Sequence, residues 1–202
     1  MTAAEVVDLS FSLAGQAVAE DHADLLWQAL RARLPWLEED VLAGVHPLAG
    51  TSPGRDGELY LSRRSRLTLR LSAGRVAAAQ ALCGVQLELG GSPVAVGAAT
   101  LKPLWAAAVV YSSFVQVGPA DEMAFLAECR RLLDALGIEG RLVAGKARRM
   151  QVEGRCMEGF SLMLHGLGEE QSLRLQHQGL GAERKRGCGV FVPHKAIAAV
   201  GA

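Results

Sequence analysis

An α+β protein of two tandem ferredoxin-like (RRM-like) units with a C-terminal glycine-rich loop is the fold class this sequence predicts. Three observations carry it. The order strand, helix, strand, strand, helix, strand can be read twice along 202 residues, which is the split βαβ order of that fold. Half of the residues are hydrophobic, enough for two units of about 100 residues to have a core each. Near the end stands GLGAERKRGCGVF, residues 179–191, where four glycines bracket Arg184, Lys185 and Arg186.

The first unit is expected over residues 1–99. EVVDLSFSL (5–13) alternates as a half-buried strand does. DHADLLWQALRARLPWL (21–37) reads as a helix, with Asp21 as N-cap and Asp24 in the first turn. Its apolar stripe is Leu26, Leu30, Leu34 and Leu37, and Pro35 perturbs its end. A strand or extended turn follows at VLAGVHPL (41–48), then strands ELYLS (58–62) and RLTLRLS (66–72). AGRVAAAQALCG (73–84) reads as a short helix, and VQLELGGSPVAVG (85–97) as a hairpin turned at Gly90 and Gly91.

The second unit is expected over residues 100–202, with the order of elements beginning again after Lys102-Pro103. AAAVVYSSFVQV (106–117) is predicted as a long strand. Pro119 and Asp121 open the helix DEMAFLAECRRLLDALG, with Phe125, Cys129, Leu132 and Leu136 buried and Gly137 ending it. Residues 141–152 and 156–165 read as a hairpin closed near Glu153-Gly154. A short helix starts at Glu169 and Glu170, which suit a helix N-terminus, and stops at Gly179. The glycine-rich loop then runs into a last strand, VFVP.

Composition narrows the setting. There is no run of about 18 apolar residues, so no membrane span is expected. MTAAEVVDLSF has no basic segment ahead of an apolar core, so no secretory signal is expected either. Cys83, Cys129, Cys156 and Cys188 are widely spaced with no CxxC pair, which argues against zinc fingers and disulfide frameworks and for a reducing cytoplasm. The formal net charge is zero, but it is unevenly spread. Residues 1–54 hold eight acidic side chains against Arg31 and Arg33. The basic excess lies in SRRSRLTLR, in GKARRMQVEGR and in the glycine-rich loop. One such cluster is ordinarily a solvated face; three with little intervening acid point to a polyanionic partner.

Four stretches carry a family resemblance: GVHPLAG (44–50), LYLSRRSRLTLRL (59–71), GFSLMLHGLGEEQSLRLQHQGLG (159–181) and RKRGCGVFVP (184–193). Over nearly its whole length the chain resembles the CRISPR-associated endoribonucleases that cut repeat RNA, within the RAMP superfamily, and among them the MYXAN-like subtype. The resemblance implies binding of CRISPR repeat RNA as precursor and as mature guide. It also implies one cut at the base of each repeat, with no metal and no cofactor. Some members of the superfamily have no catalytic role, so the alternative is a noncatalytic RNA-binding subunit, partnered by other subunits of a CRISPR effector complex.

Cleavage without a metal needs a base near neutrality, a proton for the leaving oxygen and cations for the phosphorane charge. Histidine suits the proton work, and there are five: His22, His46, His165, His177 and His194. His22 reads as an exposed neighbour of the helix cap, and His165 as a histidine ending an apolar strand. His46, between Gly44 and Pro47-Leu48-Ala49-Gly50, is the expected catalytic residue, because in the resembling enzymes a catalytic histidine often follows the first helix. The plain alternative is a loop histidine that caps a turn. Relatives assist their histidine with a tyrosine or lysine, and neither adjoins His46 in sequence; Tyr60, Ser62, Arg63, Arg64 and Lys102 are candidates for that place.

The expected RNA-binding residues are Arg63, Arg64, Arg66 and Lys102, Arg148 and Arg149 of the hairpin, and Gly181, Arg184, Lys185, Arg186, Gly187 and Gly189 of the loop. Alternation puts Arg64, Arg66 and Arg70 on one strand face opposite Leu67, Leu69 and Leu71. Backbone amides in a glycine-rich turn can form an anion-binding concavity. Other chemistries fit less well. GLGAERKRG lacks the GK[ST] ending of a nucleotide P-loop, no histidine and carboxylate cluster has metal-ligand spacing, and neither Ser161 nor Ser172 sits in a nucleophile elbow.

Overall fold

Val7, Leu9 and Phe11 alternate with Asp8, Ser10 and Ser12, and a strand of that period sends the two sets to opposite faces. In the computed structural model, which describes residues 5–51, 57–118 and 121–194, this segment is strand β1 (Val6–Ala14). The chain forms two compact units. The first comprises Met1–Pro103 with Met150–Cys156 and Arg184–Gly187; the second comprises Leu104–Arg149, Met157–Glu183 and Cys188–Ala202.

In the first unit β1 is followed by β2 (Ala17–Ala19), helix α1 (Ala23–Arg33), β3 (Gly44–Val45), β4 (Glu58–Tyr60) and β5 (Arg66–Ser72). Helix α2 (Val76–Ala79), β6 (Gln86–Leu89) and β7 (Ser92–Pro103) complete it. The main sheet has the order β3-β5-β1-β7-β6, and its neighbouring strands pair antiparallel. Register sorts the faces. Val7 lies opposite Leu71, Leu9 opposite Leu69 and Phe11 opposite Leu67, all buried together with Leu26, Trp27 and Leu30 of α1. On the other face Asp8 lies opposite Arg70 and Lys102, and Ser10 opposite Thr68 and Thr100. Slipping the β1–β5 register by one residue would put the charged set into the core.

The second unit holds β8 (Val109–Val115), α3 (Glu122–Ala135), most of β9 (Arg141–Val152) and β10 (Arg155–His165), α4 (Glu169–Gln178) and β11 (Val192–Pro193). Its sheet order, β11-β8-β10-β9, is the ferredoxin-like order. Phe125, Cys129 and Leu133 of α3 pack with Phe160, Leu162 and Leu164 of β10. Both α3 and α4 have acidic residues in the first turn, which favours the positive end of the helix dipole.

Several expectations change in detail. Asp21 does not cap α1: His22 is at the cap position, and Asp21 instead accepts from the Gln151 N–H at 2.8 Å. Strand β4 leaves the main sheet and pairs with β2, a strand with no clear period in sequence, burying only Leu59. Short β3 takes its place beside β5. Residues 73–82 form one turn of α-helix between two 3-10 turns, because Ala79 and Leu82 are too few buried anchors for a longer helix. Strand β7 continues past Gly97 to Pro103. In α3 the buried stripe runs Phe125, Cys129, Leu133 in steps of four; Leu132 and Leu136 are half-buried. Strand β8 starts only at Val109, since the Ala107 N–H is taken by Ser172 Oγ. Pro119 lies outside the described residues.

Candidate active site and nucleic-acid interface

His46 is placed by backbone before its ring is considered. Strand β3 pairs Gly44 with Arg70 and Val45 with Leu69, and the His46 N–H then donates to Thr68 O at 2.9 Å. That registers His46 on the edge of β5, whose neighbour β1 offers Asp8. The imidazole Nε2 lies 3.3 Å from Asp8 Oδ1, with 16% of the His46 side chain exposed. Arg70, fully buried, grips the same carboxylate with both arms, Nε to Oδ1 at 2.8 Å and Nη2 to Oδ2 at 2.9 Å. A planar fork on a planar carboxylate is the strong form of such a bond.

The electrostatics follow from those neighbours. Burial pushes the Asp8 carboxyl up, but the hydrogen bonds from His46 and Arg70 outweigh it and hold Asp8 well below the usual carboxylate range. Burial lowers His46, the guanidiniums of Arg70 and Arg184 lower it further, and Asp8 opposes them; the result lies below the ordinary histidine value. Arg184 is itself brought down to about 10, by burial and by Arg70. A neutral imidazole therefore stands beside a fixed carboxylate and two cations, which equips it to accept a proton at neutral pH.

The glycine-rich loop supplies more than Arg184 to the first unit. Its three basic residues form a 3-10 turn. Arg186 donates from Nε to Asp24 Oδ1 at 2.7 Å and from Nη2 to Glu153 Oε1 at 2.9 Å. Lys185 donates to the Glu38 carbonyl and lies 5.7 Å from the Trp27 ring centroid. A Cβ on Gly187 would come within 2.9 Å of Pro47, so the loop backbone lies close beside the residue after His46. Gly181 and Gly189 belong to the second unit, and both have positive φ. A Cβ there would strike the carbonyls of Gln116 and Leu180 at 2.3 and 1.9 Å, so only glycine fits.

The remaining expected contacts are exposed. Arg63 and Arg64 sit in the turn before β5, so Arg64 does not share the β5 face with Arg66; Arg66 Nη1 donates to the carbonyls of Arg63 and Ser65. Arg70, on that face by alternation, is buried on Asp8. Lys102 is exposed on β7, opposite Asp8 in register. Arg148 and Arg149 are exposed on β9 in the second unit, where they line an open pocket with Glu158 and Gly159. Arg149 pairs with Glu158 at 2.7 Å.

The other histidines separate clearly. His22 is not an exposed neighbour of the cap: it is 6% exposed, its Nδ1 is 3.0 Å from Ala19 O, and its Nε2 accepts from the Leu48 N–H at 3.1 Å. It anchors the segment that carries His46. His165, His177 and His194 lie in the second unit. Asp8, the companion of His46, carries one signal in the sequence: it is a carboxylate on the polar side of an alternating strand. Among the described residues there is no cluster of three His, Cys, Asp or Glu side chains able to hold a metal ion, and no helix is long and apolar enough to cross a membrane.

Known proteins resemble this chain in sequence and in fold. The family model described as Cas6 Crispr matches residues 7–196. The CRISPR-associated endonuclease Cas6 of Myxococcus xanthus (strain DK1622) is 40% identical over 188 residues, spanning 93% of this chain and 81% of that protein. Among solved structures, one described as CRISPR associated protein Cas6 has a TM-score of 0.70 at 13% identity, covering 95% of this chain and 100% of its own. Another, described as an RAMP protein binding different RNA substrates, has a TM-score of 0.71 at 13% identity, covering 94% and 100%. At that identity the structures speak for the fold, two ferredoxin-like units in tandem; the family match and the Myxococcus relative say more, and the chain belongs to the Cas6 family of CRISPR-associated proteins.

Proposed function

We propose that this chain is a CRISPR precursor-RNA processing endoribonuclease that cuts within the repeat without a metal and keeps the mature guide RNA. The observation that carries the reading is His46, held neutral beside Asp8 with the charges of Arg70 and Arg184 acting on it. Its family includes a Myxococcus xanthus relative named as an endonuclease. In the reaction the ribose 2′-oxygen bonds to the adjacent phosphorus while His46 takes the hydroxyl proton. The bond from phosphorus to the 5′-oxygen breaks, and that oxygen takes a proton from solvent. The fragments end in a 2′,3′-cyclic phosphate and a 5′-hydroxyl. Arg184 adds positive charge where the phosphorane becomes more negative.

RNA is gripped by the exposed arginines. Arg63, Arg64, Arg66 and Lys102 on the first unit and Arg148 and Arg149 on the second are free to meet phosphates at the cost of weak surface contacts. The repeat stem, where one forms, is recognised through its A-form shape. Purified protein incubated with labelled repeat RNA in EDTA tests the reading. The expected result is one cut with cyclic-phosphate ends, slowed at least about a hundredfold in His46→Ala with little change in RNA affinity. Binding without cleavage, with or without added divalent metal, makes the chain a noncatalytic RNA-binding subunit of an effector complex.

A further inference from the structure

Two side chains meet on the Asp8 carboxylate: His46 from the end of β3 and Arg70 from β5. We infer that Asp8 is a positioning residue for His46: clamped by Arg70, its carboxylate holds the ring in the tautomer protonated on Nε2 and leaves Nδ1 as the basic nitrogen. The inference rests on His46 being the catalytic histidine of the proposed cleavage.

The argument is one of hydrogen-bond inventory. An ionised carboxylate can only accept, and Asp8 is kept ionised by two guanidinium donors at 2.8 and 2.9 Å. Nε2 points at Oδ1 from 3.3 Å, so a neutral ring meets it favourably only if Nε2 carries the hydrogen. The opposite tautomer would set a lone pair against the carboxylate. Nδ1 has no hydrogen-bond partner among the described residues, which leaves its lone pair for a substrate proton. The 3.3 Å separation is long, as such bonds often are before substrate binds.

Arg70 is what makes this orientation firm. Its side chain is fully buried, and Asp8 is 15% exposed. Because the two face each other across the β1–β5 ladder, the carboxylate cannot turn from His46 without breaking the fork. When Nδ1 takes the 2′-hydroxyl proton, the ring becomes an imidazolium, and the carboxylate already on Nε2 stabilises it. Among the described residues, the charged groups acting on His46 are Asp8 from β1, Arg70 from β5 and Arg184 from the glycine-rich loop, with Asp40 acting on Arg184.

The test begins with the unaltered protein. In long-range nitrogen–proton correlation spectra of 15N-histidine-labelled protein above pH 7, His46 should show a protonated Nε2 and an unprotonated Nδ1. A protonated Nδ1, or an even mixture, overturns the inference. Asp8→Asn should lower the plateau cleavage rate at least about tenfold, within the range that acid–base catalysis supplies. It should also move the acid limb of the pH profile to lower pH, since the carboxylate that raises His46 is gone. Asp8→Leu combined with Arg70→Met removes both charges and so avoids a stranded buried guanidinium. It should show the same rate loss, no tautomer preference and unchanged RNA affinity. Wild-type cleavage in these variants, with His46→Ala inactive, overturns the positioning role alone. Full cleavage by His46→Ala overturns the proposed catalysis, whatever the tautomer.

Discussion

Arg186 donates from Nε to Asp24 Oδ1 at 2.7 Å, across 162 residues of chain, with both side chains nearly covered. The bond fastens the glycine-rich loop to helix α1 within the first unit. Asp24, in the first turn, also accepts from Gln28. Arg186 lowers the Asp24 carboxyl below its usual value, against the effect of burial.

Arg186→Ala should therefore destabilise the protein by about 1.5–3 kcal/mol, the range for a hydrogen bond to a charged partner. Denaturant unfolding would read this as a lower midpoint at unchanged slope. Asp24→Asn should cost a similar amount, and the double variant less than the sum. The second bond, to exposed Glu153, adds little. Additive costs would mean that the pair is not coupled.

Cleavage should depend on pH through His46. Its pKa is lowered, so the neutral ring that accepts a proton is the major form already at about pH 6.5 and dominates above it. The rate should be flat above neutrality and fall as pH drops through the lowered value. A rate profile with single-turnover kinetics would show an acid limb centred below 6.5. A limb centred above 7 would assign the titration to another group.

Stability has its own pH dependence, set by His22. Burial holds this ring below the ordinary histidine value; Nδ1–H donates to Ala19 O in either form, but acceptance from the Leu48 N–H by Nε2 needs the neutral ring. A folded pKa below the unfolded one means that the contribution is complete above about pH 6.5 and is lost as pH falls through the folded value. His22→Ala should cost about 1–3 kcal/mol at pH 7, because the Leu48 N–H loses its acceptor. The variant should also lose less stability than wild type between pH 7 and 5, leaving the part due to His46. Equal slopes would remove His22 from the linkage.

RNA affinity should respond to the exposed arginines without a stability cost. Arg64→Glu and Arg149→Glu should weaken binding steeply at low salt and lower the salt slope by just under one unit per lost phosphate contact. Melting should stay within about 0.5 kcal/mol of wild type, because Arg64 is exposed and the Arg149–Glu158 pair is a surface one. Unchanged binding would make both arginines part of a solvated face.

Much of the fold was legible because its signals are local. The period of two in 5–13 and 66–72 predicts β1 and β5 and which of their side chains are buried. The Leu26, Leu30, Leu34, Leu37 stripe is buried throughout, and Gly137 and Gly179 end their helices with positive φ. The readings that changed concern pairing. Nothing in ELYLS says that its partner is Ala17–Ala19 and not the main sheet, and an alanine-rich segment with two buried anchors does not show how short its helix is.

The site divides in the same way. His46 stood out in sequence because a histidine between glycine and proline, after a helix, matches a family pattern. Its surroundings did not, since Asp8 is 38 residues away and meets it only through the register of β3, β5 and β1. Nor did the three cations of the loop reveal that the charge of Arg184 acts on His46 and Arg70, or that Lys185 and Arg186 reach Glu38 and Asp24. The sequence by itself determined the two ferredoxin-like units, their buried faces and the family, because hydrophobic period, turn residues and motifs are written in neighbouring residues. Only the tertiary structure decided which charges are paired, which histidine is buried and which meets a carboxylate. A pKa and an ion pair depend on distance and dielectric through space, and residues tens of positions apart acquire both only when the strands register.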